Sequence, residues 1–421
     1  MRTHPVLTRL AMSGVRLGLD RMRDVLVAMG EPHLAVPVVH VAGTNGKGSV
    51  STYVTAALVA AGYRVGTYLS PHLEHLNERV QIDGVPVRDA ELTEAIEHVD
   101  RVRIDWAASQ GLQDDVLTYF ELMTAVAFHL FAARQVDVAV IEVGMGGRLD
   151  ATNVVAPVVT AITSIGLDHQ AELGATLAAI AGEKAGILKA GAPVSVGPLP
   201  PEAMEVVRAR ARAVGVEAWT AGSQLRRERR GERWVLSTPD GSVGPVKLGM
   251  SGAHQGANAS VAVGALHLLR RQGMPVSDEA IAAGLAAARV PGRIERIAEG
   301  LVVDGGHNAD GTAALAAWLS EQPRPATRIL LFGMGEGREP AALLAPLLPH
   351  FDEVVLTSCA HPHAMTPAAI AAALGPVDVA LSDGGPVEEC LAEVRADADE
   401  VVVAGSLYLA GAVRTLVLDA G

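Results

Sequence analysis

Between residues 36 and 52 the chain reads VPVVHVAGTNGKGSVST, a short apolar run that drops into a glycine-rich turn carrying a lysine and ending in serine and threonine. This is the pattern of a phosphate cradle. Val36 to Val41 is predicted to be a buried strand, and the residues after Lys47 a helix that buries Val50, Val54, Ala57 and Leu58. Backbone N–H groups at Gly43, Asn45, Gly46 and Gly48 can approach a polyphosphate closely where β-carbons are missing, and the helix N-terminus behind them favours anions. Lys47 then falls on the outer phosphate oxygens and the Ser49 hydroxyl on or near Mg2+. The spacing departs from the common G-x-x-x-x-G-K-[ST] pattern, because Gly48 separates Lys47 from the hydroxyl residue.

Other residues have the chemistry to complete such a site. Ser49, Ser70, Glu142 and His169, with a phosphate, form a candidate metal set: Mg2+ keeps waters and takes one or two carboxylates together with substrate phosphates. Glu142 suits that role. Histidine is an unusual Mg2+ ligand, so His169 is open to being a ligand, a general base or a loop residue. Lys184, in Glu183-Lys184-Ala185-Gly186, is of a type that is ordinarily solvated. Buried, with a depressed pKa, it could act as an amine nucleophile or take up CO2 as a carbamate, and spacing leaves these alternatives open. A third group comprises Asn258, Arg293 and the loop Val303 to Asn308. Arg293 suits charge on a transferring phosphoryl group, and Asp304, at a strand end, suits ribose hydroxyls. A capping Asn, a surface Arg and a tight turn are the plainer readings of the same residues.

The elements that must position these residues alternate. A helical lead-in over 12 to 35 (Leu19, Met22, Leu26, Met29) precedes the cradle, and a second strand at Tyr63 to Leu69 runs into Ser70. A helix from Asp89 to about Ala108 carries Glu91, Glu94, Glu97 and Asp100 on a face expected to be solvated. Residues 116 to 134 are apolar almost all round and are expected to be a buried helix, with His129 a core histidine. Near-continuous apolar strands at Val136 to Val143 and Val158 to Ile165 deliver Glu142 and then Asp168 and His169. Such runs between helices indicate a parallel sheet covered on both faces, whose strand C-terminal ends collect ligands. An amphipathic helix over 172 to 190, a βα unit at 194 to 214 and a helix from Ala253 to Leu269 follow. Around Val290-Pro291-Gly292-Arg293 a domain boundary is expected, dividing the chain into 1–290 and 291–421. Beyond it strands at 301–303, 328–332, 353–357 and 400–404 alternate with helices. The fold class is α/β: a P-loop-containing nucleotide-binding domain followed by a smaller α/β domain of Rossmann-like alternation.

Composition limits the partners. The 421 residues carry 34 Lys and Arg against 47 Asp and Glu, a net charge of −13, which disfavours a polyanion track such as nucleic acid. The basic run at 225 to 234, LRRERRGERW, is expected to be a solvated hairpin. Mean hydropathy is +0.28, but no unbroken apolar stretch is long enough to span a membrane, and the N-terminus has no h-region, so a cytoplasmic protein is expected. Cys359 and Cys390 lack metal or disulfide spacing.

The stretches HVAGTNGKGSV, YLSPHLEHLNERVQIDG, TYFELMTAVAFHLF, VAVIEVGMGGRLDATNVV, ITSIGLDH, GEKAGILK, GAHQGANASVAVGAL, PGRIE, VDGGHNADG and GSLYLAGAVR closely resemble the folylpolyglutamate synthase / dihydrofolate synthase family of the Mur ligase superfamily, in order from about residue 15 to 415. The resemblance implies an ATP-dependent amide ligase, of the bifunctional bacterial type, that adds L-glutamate to dihydropteroate or to the glutamyl tail of reduced folates through an acyl phosphate. It implies ATP and two Mg2+ ions as cofactors, allows a monovalent cation, and leads one to expect a monomer whose partners are small molecules.

Residue by residue, Gly43, Thr44, Asn45, Gly46, Lys47, Gly48 and Ser49 correspond to the phosphate cradle. Ser70, Glu142 and His169 correspond to Mg2+ ligands, and Lys184 to the lysine that is carbamylated in the family. Asn258, Arg293, Asp304 and His307 correspond to residues that contact ATP. Lys47, Lys184, Arg293 and His307 form the implied catalytic set. Thr118, Tyr119 and Phe120, with Leu149, Asp150 and Ala151, match regions that hold the pterin. Two departures stand out: the usual HNP is His307-Asn308-Ala309, and a terminal GE is Gly411-Ala412. Alternatives are a peptidoglycan-precursor ligase, which should carry a larger N-terminal domain than the about 35 residues before the cradle strand, and a P-loop NTPase without ligase activity.

Overall fold

The computed structural model describes residues 3–10, 14, 16–112 and 117–418. Residues 12, 13, 15 and 116, within the expected lead-in and buried helix, lie outside the described residues. The chain divides into two compact units, one formed by residues up to Gly249 with Gly256–Arg289, the other by Met250–Gln255 with Val290 onward. The units part at residues 289 and 290, beside the expected boundary, with residues 250–255 grouped with the second unit. Their place in the second unit is shown by Gly252, where a β-carbon would lie 3.2 Å from Ile294 Cδ1.

The first unit is built on eight strands: β1 (Val38–Ala42), β2 (Val65–Tyr68), β3 (Val80–Ile82), β4 (Val85–Pro86), β5 (Val138–Glu142), β6 (Pro157–Ile162), β7 (Val194–Val196) and β8 (Ala218–Thr220). Their order is β4-β3-β2-β5-β1-β6-β7-β8. From β2 to β8 all neighbours are parallel, and β3 and β4 close one edge antiparallel. β1 lies between β5 and β6, and every one of its residues is buried. Val38 and Ala42 join apolar clusters on one face, the first with the helix Tyr119–Ala133 and the second with the helices Leu177–Ala185 and Pro201–Val214. Val39 and Val41 alternate to the other face. The helix Lys47–Ala60 packs against β1, β2 and β5.

Several expectations are corrected here. The helix over 172–190 is two helices, Gln170–Leu173 and Leu177–Ala185, separated by Gly174 at φ 98°. β6 ends at Ile162, so residues 163–168 form a loop rather than the end of a strand. Asp100 is not on a solvated face: it is 8% exposed and accepts a 2.7 Å hydrogen bond from Nε of the fully buried Arg103. Glu94 and Glu97 are exposed as expected. A helix absent from the sequence reading, Asp278–Ala287, crosses the cradle helix where Gly284 meets Ala57; a β-carbon on Gly284 would lie 2.3 Å from the Ala57 backbone nitrogen.

The basic run forms an exposed edge strand. β9 (Arg226–Arg230), β10 (Arg233–Thr238) and β11 (Gly241–Lys247) make an antiparallel sheet in the order β11-β10-β9. The second unit holds β12 (Glu295–Ala298), β13 (Leu301–Val303), β14 (Arg328–Phe332), β15 (Glu353–Ser358), β16 (Ala380–Pro386) and β17 (Glu400–Ala404), ordered β12-β13-β17-β14-β15-β16. Among the described residues no helix is long and apolar enough to cross a membrane.

Removing Asp100 strands the Arg103 guanidinium in the core, which costs about 3 kcal/mol. Asp100→Ala is expected to lower the chemical denaturation midpoint strongly, whereas Glu94→Ala on the same helix leaves it unchanged; equal effects of the two would contradict the burial argument.

Candidate active site

β1 ends at Ala42 and the chain turns at once. Gly43 has no room for a side chain, since a β-carbon would fall 1.8 Å from Thr163 Oγ1. Gly46, at φ 84°, is the left-handed cap of the helix Lys47–Ala60, and a β-carbon there would meet Asn258 Oδ1 at 2.4 Å. The turn is held by the loop after β6. Thr44 donates its N–H to the Ser164 carbonyl (2.8 Å), and Asn45 donates its N–H to Ser164 Oγ (2.9 Å). Thr163 Oγ1 and Ser164 Oγ donate to the Asn45 carbonyl at 2.5 and 2.9 Å. The Asn45 N–H is therefore engaged by Ser164, against the expectation that it faces phosphate. An anion here meets the N–H groups of the helix's first turn, which a helix cannot satisfy internally. Thr163 and Ser164 were not singled out from sequence; their signal is a pair of hydroxyls directly after an apolar strand.

Two lysines converge on one carbonyl. Lys47 Nζ donates to the Gly43 carbonyl (3.1 Å) and the Thr44 carbonyl (3.2 Å), and Lys184 Nζ donates to the same Gly43 oxygen at 2.8 Å. Lys184 is 4% exposed. Burial, and then the neighbouring charge of Lys47, bring its pKa down to about 7, with Asp168 and Asp150 opposing. Of the alternatives open from sequence, the solvated lysine is excluded.

Glu142 is the last residue of β5 and is 4% exposed. Its Oε2 accepts the Ser70 N–H at 3.1 Å, which brings these two candidates together. Ser49 is buried in the first turn of the cradle helix, and a β-carbon on Gly48 beside it would lie 3.8 Å from Glu142 Oε2. His169 stands exposed at φ 50°, its N–H bonded to Asp168 Oδ1. Among the described residues no three His, Cys, Asp or Glu side chains form a metal-holding group. The donors at Glu142 are hydroxyl and carboxylate oxygens, which fit a hard ion that takes its remaining ligands from phosphate and water.

The residues matched to the pterin region lie on two supports. Thr118 caps the helix Tyr119–Ala133 in a reciprocal box with Glu121, whose carboxylate also takes Arg21 Nη2 at 2.9 Å. Phe120 lies on Gly144, where a β-carbon would be 2.4 Å from Cζ of its ring. Its ring centroid is 6.0 Å from that of Tyr68. Arg79 sits over the Tyr119 ring at 5.4 Å. Opposite in sequence, Asp150 accepts N–H groups from Met145 and Thr152 at 2.9 and 3.0 Å, and burial pushes its pKa up. Thr152 Oγ1 pairs with His40 Nε2 (2.9 Å), a fully buried histidine of β1 whose pKa burial brings down to about 3. A cavity of about 50 Å3 lined by Met145, Gly147, Leu149 and Asp150 also takes in Leu17, which no sequence signal marked.

In the second unit, Asp304 follows β13 with its oxygens on the backbone. Oδ2 accepts the Ile294 N–H at 2.9 Å and Oδ1 the Gly306 N–H at 2.8 Å. The first of these holds Ile294 at φ 45°, a costly conformation for a β-branched residue, and so fixes the chain next to Arg293. His307 Nδ1 bonds the Gly305 carbonyl at 3.0 Å, and Asn308 caps the helix Ala309–Ser320 without the proline of HNP. Near Gly411-Ala412, Arg414 keeps an ion pair with Glu295.

A parallel sheet carrying a phosphate cradle, a second lysine held by that cradle and a separate Rossmann-like unit together define a Mur-type ligase. Residues 41–266 match the Mur ligase middle domain and residues 292–407 the Mur ligase glutamate ligase domain. The chain is similar to folylpolyglutamate synthase of Lacticaseibacillus casei, 37% identical over 97% of this chain and 96% of that protein. It is also similar to the structure of Escherichia coli FolC in complex with DHPP and ADP (TM-score 0.88, 32% identity, 98% and 96% coverage). The Mycobacterium tuberculosis folylpolyglutamate synthase complexed with ADP and AMPPCP matches with TM-score 0.86 and 33% identity, over 98% and 97% of the two chains. The chain belongs to the folylpolyglutamate synthase / dihydrofolate synthase family, and it is an ATP-dependent acid–amino-acid ligase of folate metabolism.

Lys184 gives a pH signature. Its folded pKa is lowered, so the unfolded chain holds the extra proton between pH 7 and the ordinary lysine range, and stability rises with pH across that window. Below about pH 7 the burial penalty is felt in full. Thermal denaturation from about pH 7 to about pH 10 is expected to show wild type gaining on Lys184→Met; parallel profiles would refute the depressed pKa.

Proposed function

We propose that this ligase joins the amine of L-glutamate both to the carboxylate of dihydropteroate and to the γ-carboxylate of reduced folates. Relatives named for both activities, from Bacillus subtilis, Mycobacterium tuberculosis and Escherichia coli, support the dual reading. The substrate carboxylate attacks the γ-phosphorus of ATP; ADP leaves and an acyl phosphate forms. The glutamate amine then attacks the acyl carbon, the amide bond forms, and phosphate departs with the bonding pair while the amine proton passes to solvent or base.

The observation that carries the reading is the convergence of Lys47 and Lys184 on the Gly43 carbonyl. The two amines donate to one backbone oxygen in a protein of net charge −13, and the positive charge they hold there, from Lys47 and the protonated fraction of Lys184, attracts an incoming polyphosphate. Lys47 then offsets charge on the transferring phosphoryl group. Lys184, with a pKa of about 7, is neutral in a large fraction of molecules at physiological pH. A neutral amine is the form that adds CO2, so the geometry supports a carbamate at Lys184. Ser49, Ser70 and Glu142 would hold Mg2+, with His169 as a further donor, and the ion would supply Lewis-acid neutralisation of the phosphates. Asn258 and Gly46 together would seat the nucleotide, and Arg293 and Asp304 would contribute from the second unit's own turn. The Phe120–Tyr68 aromatic pair beside Gly144 gives an apolar wall of the kind a flat pterin requires.

ADP release measured with dihydropteroate and with tetrahydrofolate separately, each with and without glutamate, tests the proposal. Both acids are expected to support glutamate-dependent turnover; response to one alone would reduce the enzyme to a single activity. Lys47→Ala and Glu142→Ala, confirmed folded, are expected to lose about 10²-fold or more in kcat, and near-normal rates would refute their roles. A 13C NMR spectrum of the folded protein in 13C-bicarbonate is expected to show a carbamate carbonyl signal that Lys184→Met abolishes, and its absence would refute the carbamate.

A further inference from the structure

The cradle cap at Gly46 is packed by Asn258, and Asn258 belongs to the first turn and a half of the helix His254–Arg271. That start is intrinsically weak. Glycine at position 256 costs the helix about 1 kcal/mol relative to alanine, and helix ends fray. The position nevertheless cannot carry a methyl group, because Trp234 occupies the space. A β-carbon on Gly256 would lie 2.5, 2.6 and 2.7 Å from Cη2, Cζ3 and Cζ2 of the indole. Near-equal distances to three adjacent ring atoms mean that the face of the six-membered ring, not its edge, rests on the helix backbone.

Trp234 comes from β10, far from the cradle in sequence. It is opposite Arg229 of β9 and Val246 of β11. The Arg229 guanidinium carbon lies 5.8 Å from its ring centroid, within the range of a cation–π contact. Cross-strand pairing therefore fixes the indole, and the indole fixes the helix. Gly256, Asn258 and Gly46 are then linked through contacts with no slack: ring on Gly256, two residues of helix, and Asn258 on the Gly46 cap.

We propose that Trp234 is a positioning residue for the nucleotide: its indole face sets the first turn of the helix His254–Arg271, and through that turn the seat of Asn258 on Gly46. The inference rests on the reading of Asn258 as a nucleotide contact. It also gives the exposed hairpin a role that its sequence did not disclose. Trp234 touches no reacting group, so its removal shifts Asn258 and weakens ATP, and leaves the glutamate-accepting chemistry in place.

Steady-state kinetics, with ATP and dihydropteroate varied separately, distinguish this from a merely structural hairpin contact. Trp234→Ala is expected to raise KM for ATP roughly 10-fold, the scale of a sub-ångström misplacement, with kcat and KM for dihydropteroate within about twofold of wild type. Trp234→Phe, whose ring stops short of the Cζ2–Cη2–Cζ3 end of the indole, is expected to restore KM for ATP only in part. Gly256→Ala is expected to raise KM for ATP in wild type but to add nothing in the Trp234→Ala background, where the clash is gone. If Trp234→Ala fails to fold, Gly256→Ala carries the test on its own. Asn258→Ala is run alongside. If it raises KM for ATP while Trp234→Ala and Gly256→Ala leave it unchanged, or move both KM values equally, the positioning role is overturned and the Asn258 reading stands. If Asn258→Ala leaves KM for ATP unchanged, both are overturned.

Discussion

The carbonyl oxygen of Gly43 is the point on which the site depends. It follows directly on β1, inside the sheet, and it accepts hydrogen bonds from both Lys47 and Lys184. Burial, and then the charge of Lys47 beside it, lower the proton affinity of Lys184, and the positive charge that remains on the pair favours an anion. The oxygen can be offered only because Gly43 has no side chain to strike Thr163. A backbone feature thus decides the electrostatics.

Close approaches at glycine recur wherever the cradle is supported. Gly46 admits Asn258, Gly256 admits the Trp234 ring, and Gly284 lets the helix Asp278–Ala287 lie against Ala57 of the cradle helix. The first and third bring an element onto the cradle helix, and the second sets the helix that carries Asn258. Packed contacts of this kind have little compressibility, so they fix donor positions before a ligand arrives. The loop 163–166 adds hydrogen bonds from the other side, to the Asn45 carbonyl and to the Thr44 hydroxyl. The result is a turn set by its neighbours, which approach as closely as its own glycines allow.

Charge is handled differently in each place. Arg103 is fully buried and holds Asp100 as its partner, and Asp304 spends its oxygens on backbone N–H groups that stabilise a strained Ile294. By contrast the arginines of β9 are exposed on an edge strand, where like charges discourage pairing with another chain. The same residue types serve a core, a turn and an edge, and only their burial tells which.

Much of this was legible in the order of residues. The apolar runs that became β1, β5, β14, β15 and β17, the glycine-rich turn with its lysine, and the motifs shared with a ligase family are all local, and local patterns survive in one dimension. The elements missed fail for the same reason. β16 reads ALSDGGP and looks like a turn, and it is a strand because β15 offers it an edge; the helix Asp278–Ala287 is a short alanine-rich stretch that packs against the cradle helix and β11. Asp100 and Lys184 look like solvated charges in any window of sequence. That Asp100 is buried against Arg103, that Lys184 reaches across 141 positions to Gly43, and that an indole from an exposed hairpin rests on Gly256 are matters of distance. The sequence by itself determined the chemistry that was present; the tertiary structure alone decided which groups lose water and which meet, because desolvation and contact exist only in three dimensions.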